Sequence, residues 1–359
     1  MSKTVLVTGA FGLVGAATVK QLTAQGHTVV ATDLDTPANR KNAPQLPAGA
    51  QSCWADLTDP DQVRALVTQV APAVIIHLAG VIPPQIYRNP ALARKVNVIA
   101  TETLLDAAER LPTPTRFIQA SSNAVYGFRN PHRHLDRLSV DTPERPADLY
   151  GGHKLEAEQR VRASSLDWVV LRLGGVFSTN PWAMPFSADA LYFESAVPTD
   201  GRMHAVDVRD VATAFASACT ADVAGNIFLV GGDDSHLLRY GEVGPALTAA
   251  LGLRDVLPHG RPGNPENDDD WFVTDWMDTA PAQEALTFQA HSWPQLLEEM
   301  SAAARWLRRA LGCVSPLARF ILSRQAAYRD RPGIYADPWG AFRARFGEPG
   351  LDARHAPRA

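Results

Sequence analysis

Two residues with the potential for acid–base chemistry lie four positions apart in the sequence. On a helix, Tyr150 and Lys154 would place the phenol and the ammonium on the same face. Ala157 and Val161 continue that face, which predicts that it packs inward. A free tyrosine has a pKa of about 10, and a neighbouring ammonium stabilises the phenolate and lowers that pKa. The pair is therefore a candidate for proton transfer to or from a substrate hydroxyl.

Two adjacent serines supply a hydroxyl for the same chemistry. We predict a strand at Thr115–Ala120, and Ser121 and Ser122 follow it directly. The carboxyl ends of parallel strands face the ligand crevice, where a hydroxyl can hydrogen-bond a substrate oxygen beside Tyr150. Position alone leaves Ser121 and Ser122 as alternatives.

The amino-terminal residues predict a unit that places a nucleotide near these side chains. A short apolar strand runs into a glycine-rich turn, helical spacing continues to Gly26, and a second buried strand ends at Asp33. The glycines allow a pyrophosphate to approach the backbone, and the helix N-terminus offers it unpaired N–H groups. Asp33 is placed to bind an adenosine ribose and repels a 2′-phosphate, so we expect NAD rather than NADP. The turn residues predicted to contact the cofactor are Gly9, Phe11, Gly12, Leu13, Val14 and Gly15.

Two further strand ends are predicted to line the same crevice. Asp56 and Leu57 follow a short strand at Gln51–Ala55, where the carboxylate can reach the adenine amino group or, equally, cap the next helix. Ala73–Gly80 is an apolar run interrupted only by His77, as expected of a central parallel strand. This strand ends in residues against which a cofactor can lie, namely Leu78, Ala79 and Gly80.

Strand and helix patterns alternate along the first half of the chain. This alternation predicts an α/β fold with a Rossmann-type, doubly wound parallel sheet. The longest predicted helix is Asn89–Arg110, and a second one at Asp148–Ala163 precedes a strand at Leu166–Leu173. From Gly174 the pattern loosens into proline-punctuated pieces, which predicts a smaller C-terminal substrate-binding lobe. Other predicted elements are a surface loop at Pro37–Gly49, a helix at Val206–Ala221 and a strand at Asn226–Val230.

The domain organisation follows from this pattern. We expect one domain at residues 1–312, with the core at about 1–176 plus 205–230 and the lobe at about 177–204 and 231–311. Four lobe aromatics can form either a substrate pocket or ordinary core, namely Trp182, Phe186, Tyr192 and Phe193. Residues 313–359 form a partly helical appendage, for which we predict disorder past Glu348. Its apolar stripes must bury against this chain, a second copy or a membrane surface, and comprise Leu317, Phe320, Ile321 and Tyr328, then Trp339, Phe342 and Phe346.

Composition excludes several classes of partner. A net charge of −4 in 359 residues gives no electrostatic reason to expect nucleic acid. The longest other apolar run, Ala71–Pro84, is too short to be a transmembrane segment. The three cysteines show no metal-binding spacing, and His132 with His134 or Asp268–Asp270 fit solvated loops better than metal sites. We therefore expect a cytoplasmic protein that acts on a small molecule and binds no metal.

The ordered set of motifs resembles that of the extended short-chain dehydrogenase/reductase superfamily. This superfamily includes NAD-dependent sugar-nucleotide epimerases, dehydratases and hydroxysteroid dehydrogenases. The resemblance covers about residues 3 to 311. Its motifs are Thr8-Gly9-x-x-Gly12-x-x-Gly15, Asp33, Asp56-Leu57, His77-Leu-Ala-Gly80, Ser121-Ser-x-x-Val-Tyr-Gly127 and Tyr150-x-x-x-Lys154.

The resemblance implies a role for each catalytic candidate. Tyr150 would be the acid/base, and Lys154 would bind the nicotinamide ribose and tune Tyr150. Ser122 matches the family Ser/Thr three residues before the Val of Val-Tyr-Gly and would polarise the substrate oxygen. The resemblance also implies a homodimer formed through the helices at Asn89–Arg110 and Asp148–Ala163. The remaining implied cofactor-site residues are Asn97, Ser121, Gly174, Gly175 and Val176.

Departures from the family pattern narrow the predicted reaction. Asn123 and Ala124 stand where dehydratases carry an acidic pair, which argues against elimination of water. Ser178-Thr-Asn-Pro181 replaces the usual Gly-Pro of sugar-nucleotide enzymes. The sequence therefore predicts an NAD-dependent oxidoreductase that interconverts a secondary alcohol and a ketone. The alternatives are a sugar-nucleotide epimerase that retains its cofactor and a non-enzymatic cofactor-binding scaffold.

Overall fold

The main sheet consists of seven parallel strands. The computed structural model describes residues 2–183, 187–253, 255–306, 308, 315, 319–320 and 322–351. The strands are β1 (Thr4–Thr8), β2 (Thr28–Asp33), β3 (Ala50–Trp54), β4 (Val74–His77), β5 (Arg116–Ser122), β6 (Asp167–Leu173) and β9 (Asn226–Val230). Their spatial order is β3-β2-β1-β4-β5-β6-β9, so the connection reverses direction between β1 and β4. This order confirms the predicted Rossmann-type fold and places the ligand crevice at the carboxyl ends of β1 and β4.

Helices cover both faces of this sheet. In the described residues they are α1 (Leu13–Ala24), α2 (Pro37–Asn42), α3 (Pro60–Val70), α4 (Gln85–Arg88), α5 (Pro90–Arg94), α6 (Ala100–Glu109), α7 (Leu149–Ala163), α8 (Ala188–Ala196), α9 (Val208–Ala218), α10 (Tyr240–Ala250), α11 (Ala280–Leu286), α12 (Trp293–Ala303) and α13 (Pro338–Phe346). A π-helical turn at Lys95–Ile99 joins α5 to α6, so the predicted helix Asn89–Arg110 is one irregular helix. Apolar side chains of β1 alternate between two cores, one on each face of the sheet.

Two predicted elements were wrong. Pro37–Gly49 is not simply a loop, because Thr36 caps α2 and Pro37 occupies its first turn. The predicted helix Val206–Ala221 begins only at Val208, since Asp207 caps that helix and Val206 ends a buried strand. That strand, β8 (Arg202–Asp207), pairs with β7 (Gly175–Phe177) and β10 (Leu237–Arg239) in a small second sheet.

The C-terminal residues pack on the chain's own lobe. Tyr328, Phe342 and Phe346 are buried in a cluster with residues of α4, α7 and α8. Phe320 is 56% exposed, and Leu317 and Ile321 lie outside the described residues. Of the three predicted ways to bury the apolar stripes, the part of the tail that is described follows the first, docking onto the same chain.

Pro349 lies past Glu348, where we predicted disorder, and is bound to the rest of the chain. The carbonyl of Pro349 accepts a hydrogen bond from Leu149 N–H at 2.8 Å, and residues 352–359 lie outside the described part of the chain. Among the described helices, none is long and apolar enough to span a bilayer.

Candidate active site

The backbone of the glycine-rich turn packs directly against neighbouring backbone segments. Gly9 has a φ of +63°, and a Cβ built there would lie 2.8 Å from the nitrogen of Ala79. A Cβ on Gly15 would lie 2.1 Å from the carbonyl oxygen of Gly9. α1 begins after Gly12, and in the described structure no side chain caps its N-terminus. The first N–H groups of α1 are therefore open to an anion, which fits the pyrophosphate of a dinucleotide.

Asp33 connects the turn to the end of β2. Its carboxylate accepts hydrogen bonds from the N–H groups of Phe11 at 3.1 Å and Leu34 at 2.9 Å. The Phe11 ring stacks on Trp54 with a centroid separation of 5.3 Å. A half-buried carboxylate beside an aromatic pair at this strand end fits an adenosine ribose and its base.

Asp56 has a different local role from the helix cap we considered. Asp59 caps α3, accepting from the N–H groups of Asp61 and Gln62. Asp56 accepts from both the N–H and the hydroxyl of Thr58 at 2.8 Å, which holds the turn after β3. Leu57 is buried beside it. The capping alternative for Asp56 was therefore wrong, and the adenine contact stays a prediction.

A buried hydrogen-bond chain orients the end of β4. The Thr8 hydroxyl accepts from Leu78 N–H at 3.1 Å and Ala79 N–H at 3.2 Å, so its proton is donated to Nδ1 of His77 at 2.7 Å. Nε2 of His77 then donates to the Thr101 hydroxyl at 3.1 Å. Burial lowers the pKa of His77 to about 3, which keeps the ring neutral, as this chain requires. This series of hydrogen bonds fixes the backbone at Leu78 and Ala79, which we predicted to contact the cofactor.

Asn97 holds the next residues of the same loop. Its side-chain amide donates to the carbonyl of Val81 at 2.9 Å and accepts from the Val81 N–H at 2.7 Å. A Cβ on Gly80 would lie 3.4 Å from Asn97 Oδ1 and 3.6 Å from Lys154 Nζ. The structure therefore brings together Gly80, Asn97 and Lys154, which lie far apart in the sequence. The π-helical turn that carries Asn97 is an irregularity often found at functional sites.

Helix α7 presents the phenol and the ammonium. The Asp148 carboxylate caps the helix by accepting from Gly151 N–H at 2.9 Å, and Ala157 and Val161 are fully buried, as predicted. Lys154 Nζ donates to the carbonyl of Ala120 at 2.9 Å and lies 5.8 Å from the centre of the Tyr150 ring. The ammonium is thereby attached to β5 rather than to the phenol oxygen.

The electrostatics of Tyr150 differ from our expectation. Burial raises the pKa of Tyr150 well above its ordinary value, a hydrogen bond from Ser122 opposes this, and the charge of Asp148 adds to it. The predicted lowering of the Tyr150 pKa by Lys154 was wrong, because desolvation of the phenolate dominates. Burial also lowers the pKa of Lys154 to about 8, although Glu158 acts in the opposite direction. Tyr150 is accordingly a protonated phenol at neutral pH.

The two serines of β5 have different surroundings. Ser122 is half-buried, bonds to the Tyr150 phenol and accepts from Ala124 N–H at 3.2 Å. Ser121 is buried and donates to the Glu158 carboxylate. This geometry favours Ser122 as the hydroxyl that faces a substrate.

A buried ion pair behind the site was missed in the sequence. Glu158 receives hydrogen bonds from Arg172 Nε at 3.0 Å and Nη2 at 2.6 Å, and both side chains are fully buried. Arg172 Nη1 also donates to the Tyr126 hydroxyl at 2.7 Å. The pair joins α7 to β6 and positions Ser121. The available signal was that Glu158 follows Lys154 by four residues and so shares its helix face.

The segment predicted to line the nicotinamide follows β6. Gly174 donates its N–H to the carbonyl of Val230 at 3.0 Å, and a Cβ there would lie 2.2 Å from the carbonyl oxygen of His204. Gly174, Gly175 and Val176 are half-buried at the carboxyl end of the sheet, on the same edge as Ser122.

The lobe aromatics separate into two groups. Tyr192 and Phe193 belong to the cluster that contacts Tyr150, whereas Trp182 is 73% exposed. Phe186 lies outside the described residues.

Comparisons with known proteins agree with this architecture. A model of the NAD dependent epimerase/dehydratase family matches residues 5–231. A UDP-glucose 4-epimerase of Mycolicibacterium smegmatis is 34% identical over 160 residues, which are 43% of this chain and 48% of the relative. A D-erythronate dehydrogenase of Haemophilus influenzae is 28% identical over 178 residues, which are 47% of this chain and 53% of the relative. The chain thus spans about half the length of these curated relatives.

Solved structures share the fold. The Thermus thermophilus UDP-glucose 4-epimerase in complex with NAD has a TM-score of 0.68 at 24% identity, over 84% of this chain and 99% of that one. A short-chain dehydrogenase/reductase superfamily protein of Agrobacterium tumefaciens with bound NAD also has a TM-score of 0.68 at 24% identity, over 86% and 98%. The family match confirms the predicted superfamily and NAD as the cofactor that this family uses. Because that match covers well over half of the residues, the chain belongs to the NAD-dependent epimerase/dehydratase family.

Proposed function

We propose that the protein is an NAD-dependent oxidoreductase that interconverts a secondary alcohol and a ketone. The observation that carries this proposal is the convergence of Ser122, Tyr150 and Lys154 at the edge of the sheet where ligands bind. Lys154, fixed to the Ala120 carbonyl at 2.9 Å, provides a positive charge next to both groups. Hydroxyl, phenol and ammonium together can hold and protonate one substrate oxygen.

The surroundings of Tyr150 indicate how it acts. Its raised pKa keeps the phenol protonated at neutral pH, so in ketone reduction it donates a proton to the substrate oxygen while Ser122 holds that oxygen. In alcohol oxidation the phenolate must accept the hydroxyl proton. NAD, when bound, supplies the hydride acceptor and a positive charge that favours the phenolate. Lys154 and Ser122 stabilise that phenolate from the protein side.

We assign the cofactor site to the residues gathered along this edge. The pyrophosphate would lie on the turn at the start of α1, the adenosine near Asp33 and the nicotinamide between Gly80 and Val176. The proposed contacts are Gly9, Phe11, Gly12, Leu13, Val14, Gly15, Asp33, Asp56, Leu57, Leu78, Ala79, Gly80, Asn97, Ser121, Tyr150, Lys154, Gly174, Gly175 and Val176.

Replacement of the phenol tests the catalytic proposal. In Tyr150→Phe we expect turnover to fall by about 10³-fold, because the proton donor is lost, while the Kd for NAD changes less than about twofold. Turnover is measured as NADH formation with a panel of alcohols, and NAD binding by calorimetry. Tyr335→Phe, at a tyrosine that is 39% exposed, is the matched control. Equal loss of turnover and NAD binding in Tyr150→Phe would show that the phenol is structural.

A sugar-nucleotide epimerase is the second candidate. It is supported by the 34% identical UDP-glucose 4-epimerase, whose reaction would use the same three side chains for a transient oxidation. NAD that co-purifies with the protein and is never released as free NADH during conversion of UDP-sugars would favour this candidate.

We also propose a homodimer formed through the helical segment α5–α6 and α7. Leu92 and Ile99 on that segment are 45% and 38% exposed, apolar surface that a partner would cover. The ion pairs Arg94–Glu156 at 2.5 Å and Arg160–Glu102 at 3.1 Å hold α7 to this segment as one surface. Light scattering measures the mass, and a catalytically competent monomer would refute the proposal.

A further inference from the structure

The described C-terminal residues, 322–351, belong to an apolar cluster against which Tyr150 packs. This C-terminal segment lies beyond residues 5–231, which the family model covers. Its buried residues join one apolar cluster with Ile86, Leu149 and Tyr192, and Tyr150 packs against that cluster. The segment therefore touches the element that carries the catalytic phenol.

Three hydrogen bonds attach the C-terminal segment to the catalytic helix and to the lobe. The N–H of Leu149, the first residue of α7, donates to the carbonyl of Pro349 at 2.8 Å. The Tyr328 hydroxyl donates to the Ala196 carbonyl at 2.5 Å, and Ala327 N–H donates to the Ser195 hydroxyl at 3.0 Å. Helix α7 thus receives part of its N-terminal capping from the C-terminal segment.

Aromatic rings of α13 form a wall beside Tyr150. Phe342 stacks on Phe193 with a centroid distance of 4.4 Å, and Trp339 stacks on Phe272 at 5.7 Å. The Trp339 indole N–H is satisfied by the carbonyl of Trp271 at 3.2 Å. Half-buried members keep part of their ring surface accessible, namely Tyr150, Phe193, Phe272 and Trp339. The cluster therefore presents an apolar surface that includes the catalytic ring.

The charges around this wall do not suit a nucleotide sugar. Arg88 and Arg345 both pair with Asp189, at 2.6 and 3.0 Å. Arg261 donates to backbone carbonyls of the C-terminal segment, including that of Pro332 at 3.1 Å. Glu194 faces Tyr240, which packs edge-on to Phe272 at 5.9 Å. The three arginines already bind a carboxylate or backbone carbonyls, and Glu194 adds no positive charge, so a pyrophosphate would find little charge compensation here.

We propose that the C-terminal segment is part of the active site and that Trp339, held in place by the buried Phe342, favours secondary alcohols and ketones with an apolar ring. This inference rests on the proposed oxidoreductase function. The ring body lies against the aromatic wall, and its hydroxyl or carbonyl oxygen reaches Ser122 and Tyr150. Apolar rings gain free energy from burial and ring stacking here, whereas a nucleoside diphosphate would have to bury its charges.

Binding to the full-length protein loaded with NADH tests the inference without catalysis, because an alcohol cannot react with the reduced cofactor. The probes are 1-indanol, a compact bicyclic secondary alcohol, and UDP-glucose, and saturation-transfer NMR gives each Kd. We expect 1-indanol to bind and Trp339→Ala to weaken it about tenfold. The matched control is Trp306→Ala, at a tryptophan that is 73% exposed. It should change the Kd less than about twofold.

Several outcomes would overturn the inference. These are UDP-glucose binding to the wild type more tightly than 1-indanol, no binding of 1-indanol, or equal effects of the two tryptophan variants. If Trp339→Ala melts below the assay temperature, Trp339→Phe replaces it, and the same Kd should weaken by a smaller factor. NADH binding and the Tyr150→Phe variant test the oxidoreductase proposal, and 1-indanol binding tests the wall proposal. Each proposal can therefore fail while the other is retained.

Discussion

The cofactor side and the substrate side of this site are built in different ways. On the cofactor side, Gly9, Gly15 and Asp33 lie within one β-α-β unit, and their contacts are mostly backbone contacts over short sequence distances. On the substrate side, Trp339 and Phe342 meet Phe193 and Phe272 from separate parts of the chain. The first side follows from local geometry, and the second exists only when the whole chain has packed.

This difference separates what the family shares from what an individual member adds. A pyrophosphate imposes the same turn on any chain that binds it, because backbone N–H groups must converge on it. A substrate pocket imposes no such pattern, since many ring arrangements bury the same apolar area. We therefore expect substitutions on the cofactor side to affect folding and NAD together, and those on the substrate side to change selectivity.

A pair of glycine substitutions gives the largest expected effect. Gly15→Ala places a methyl group 2.1 Å from the Gly9 carbonyl oxygen, so we expect a loss of about 3 kcal/mol in the free energy of unfolding. In Gly12→Ala the nearest atom is 3.3 Å away, so stability should fall by less than about 1 kcal/mol while NAD binding weakens. Urea unfolding and calorimetry measure the two effects. Equal stability of the two variants would contradict the close packing of the turn.

Lys154→Met separates stability from activity. The pKa of Lys154 in the folded protein is about 8, below its ordinary value of 10.5, so the buried charge lowers stability in full below pH 8, and this cost disappears as pH rises through 10.5. We expect the variant to be inactive yet more stable at pH 7 by up to about 3 kcal/mol, a gain that shrinks toward pH 10. Thermal melts at both pH values measure this. A variant less stable than wild type at pH 7 would show that the bond to Ala120 outweighs desolvation.

Asp33→Asn tests cofactor choice. Asparagine keeps an acceptor for the Phe11 N–H but removes the charge that repels a 2′-phosphate. We expect the ratio of kcat/KM for NAD to that for NADP to fall about tenfold. An unchanged ratio would mean that Asp33 only shapes the turn.

The geometry of the proposed cofactor side was largely predictable from the sequence, whereas its contacts with NAD stay a prediction. Gly9, Gly15 and Asp33 act through spacing, which a sequence shows directly. The choice of Ser122 over Ser121 depended on family resemblance until the contact between Ser121 and Glu158 became visible. The sign of the Tyr150 pKa shift was missed because burial is a property of the packed lobe rather than of the Tyr150–Lys154 spacing. The partners of Trp339 and Phe342 could not be predicted, because an apolar stripe does not specify what covers it.

Glu194→Gln gives the smallest expected effect, on the substrate side. Glu194 keeps solvent-exposed surface, but the protein atoms around its carboxylate raise its pKa to about 7, so its charged form destabilises the fold slightly, and increasingly as pH rises from 4.5 through 7. The variant should melt with the wild type at pH 5 and slightly above it at pH 8. Glu284→Gln, at an exposed glutamate, is the control and should show no such pH dependence. A gap independent of pH would show that titration of Glu194 does not affect the stability of the fold.

The hydrogen bond between Leu149 N–H and the Pro349 carbonyl has a consequence for biosynthesis. The ribosome makes the catalytic helix long before it makes residue 349, so the nascent chain carries its phenol and ammonium without this hydrogen bond and without the proposed aromatic wall. Activity would then begin only after the tail has left the exit tunnel. Bulky tags fused at the carboxyl terminus, or proteases that trim it, would disturb the same contact between the C-terminal segment and α7.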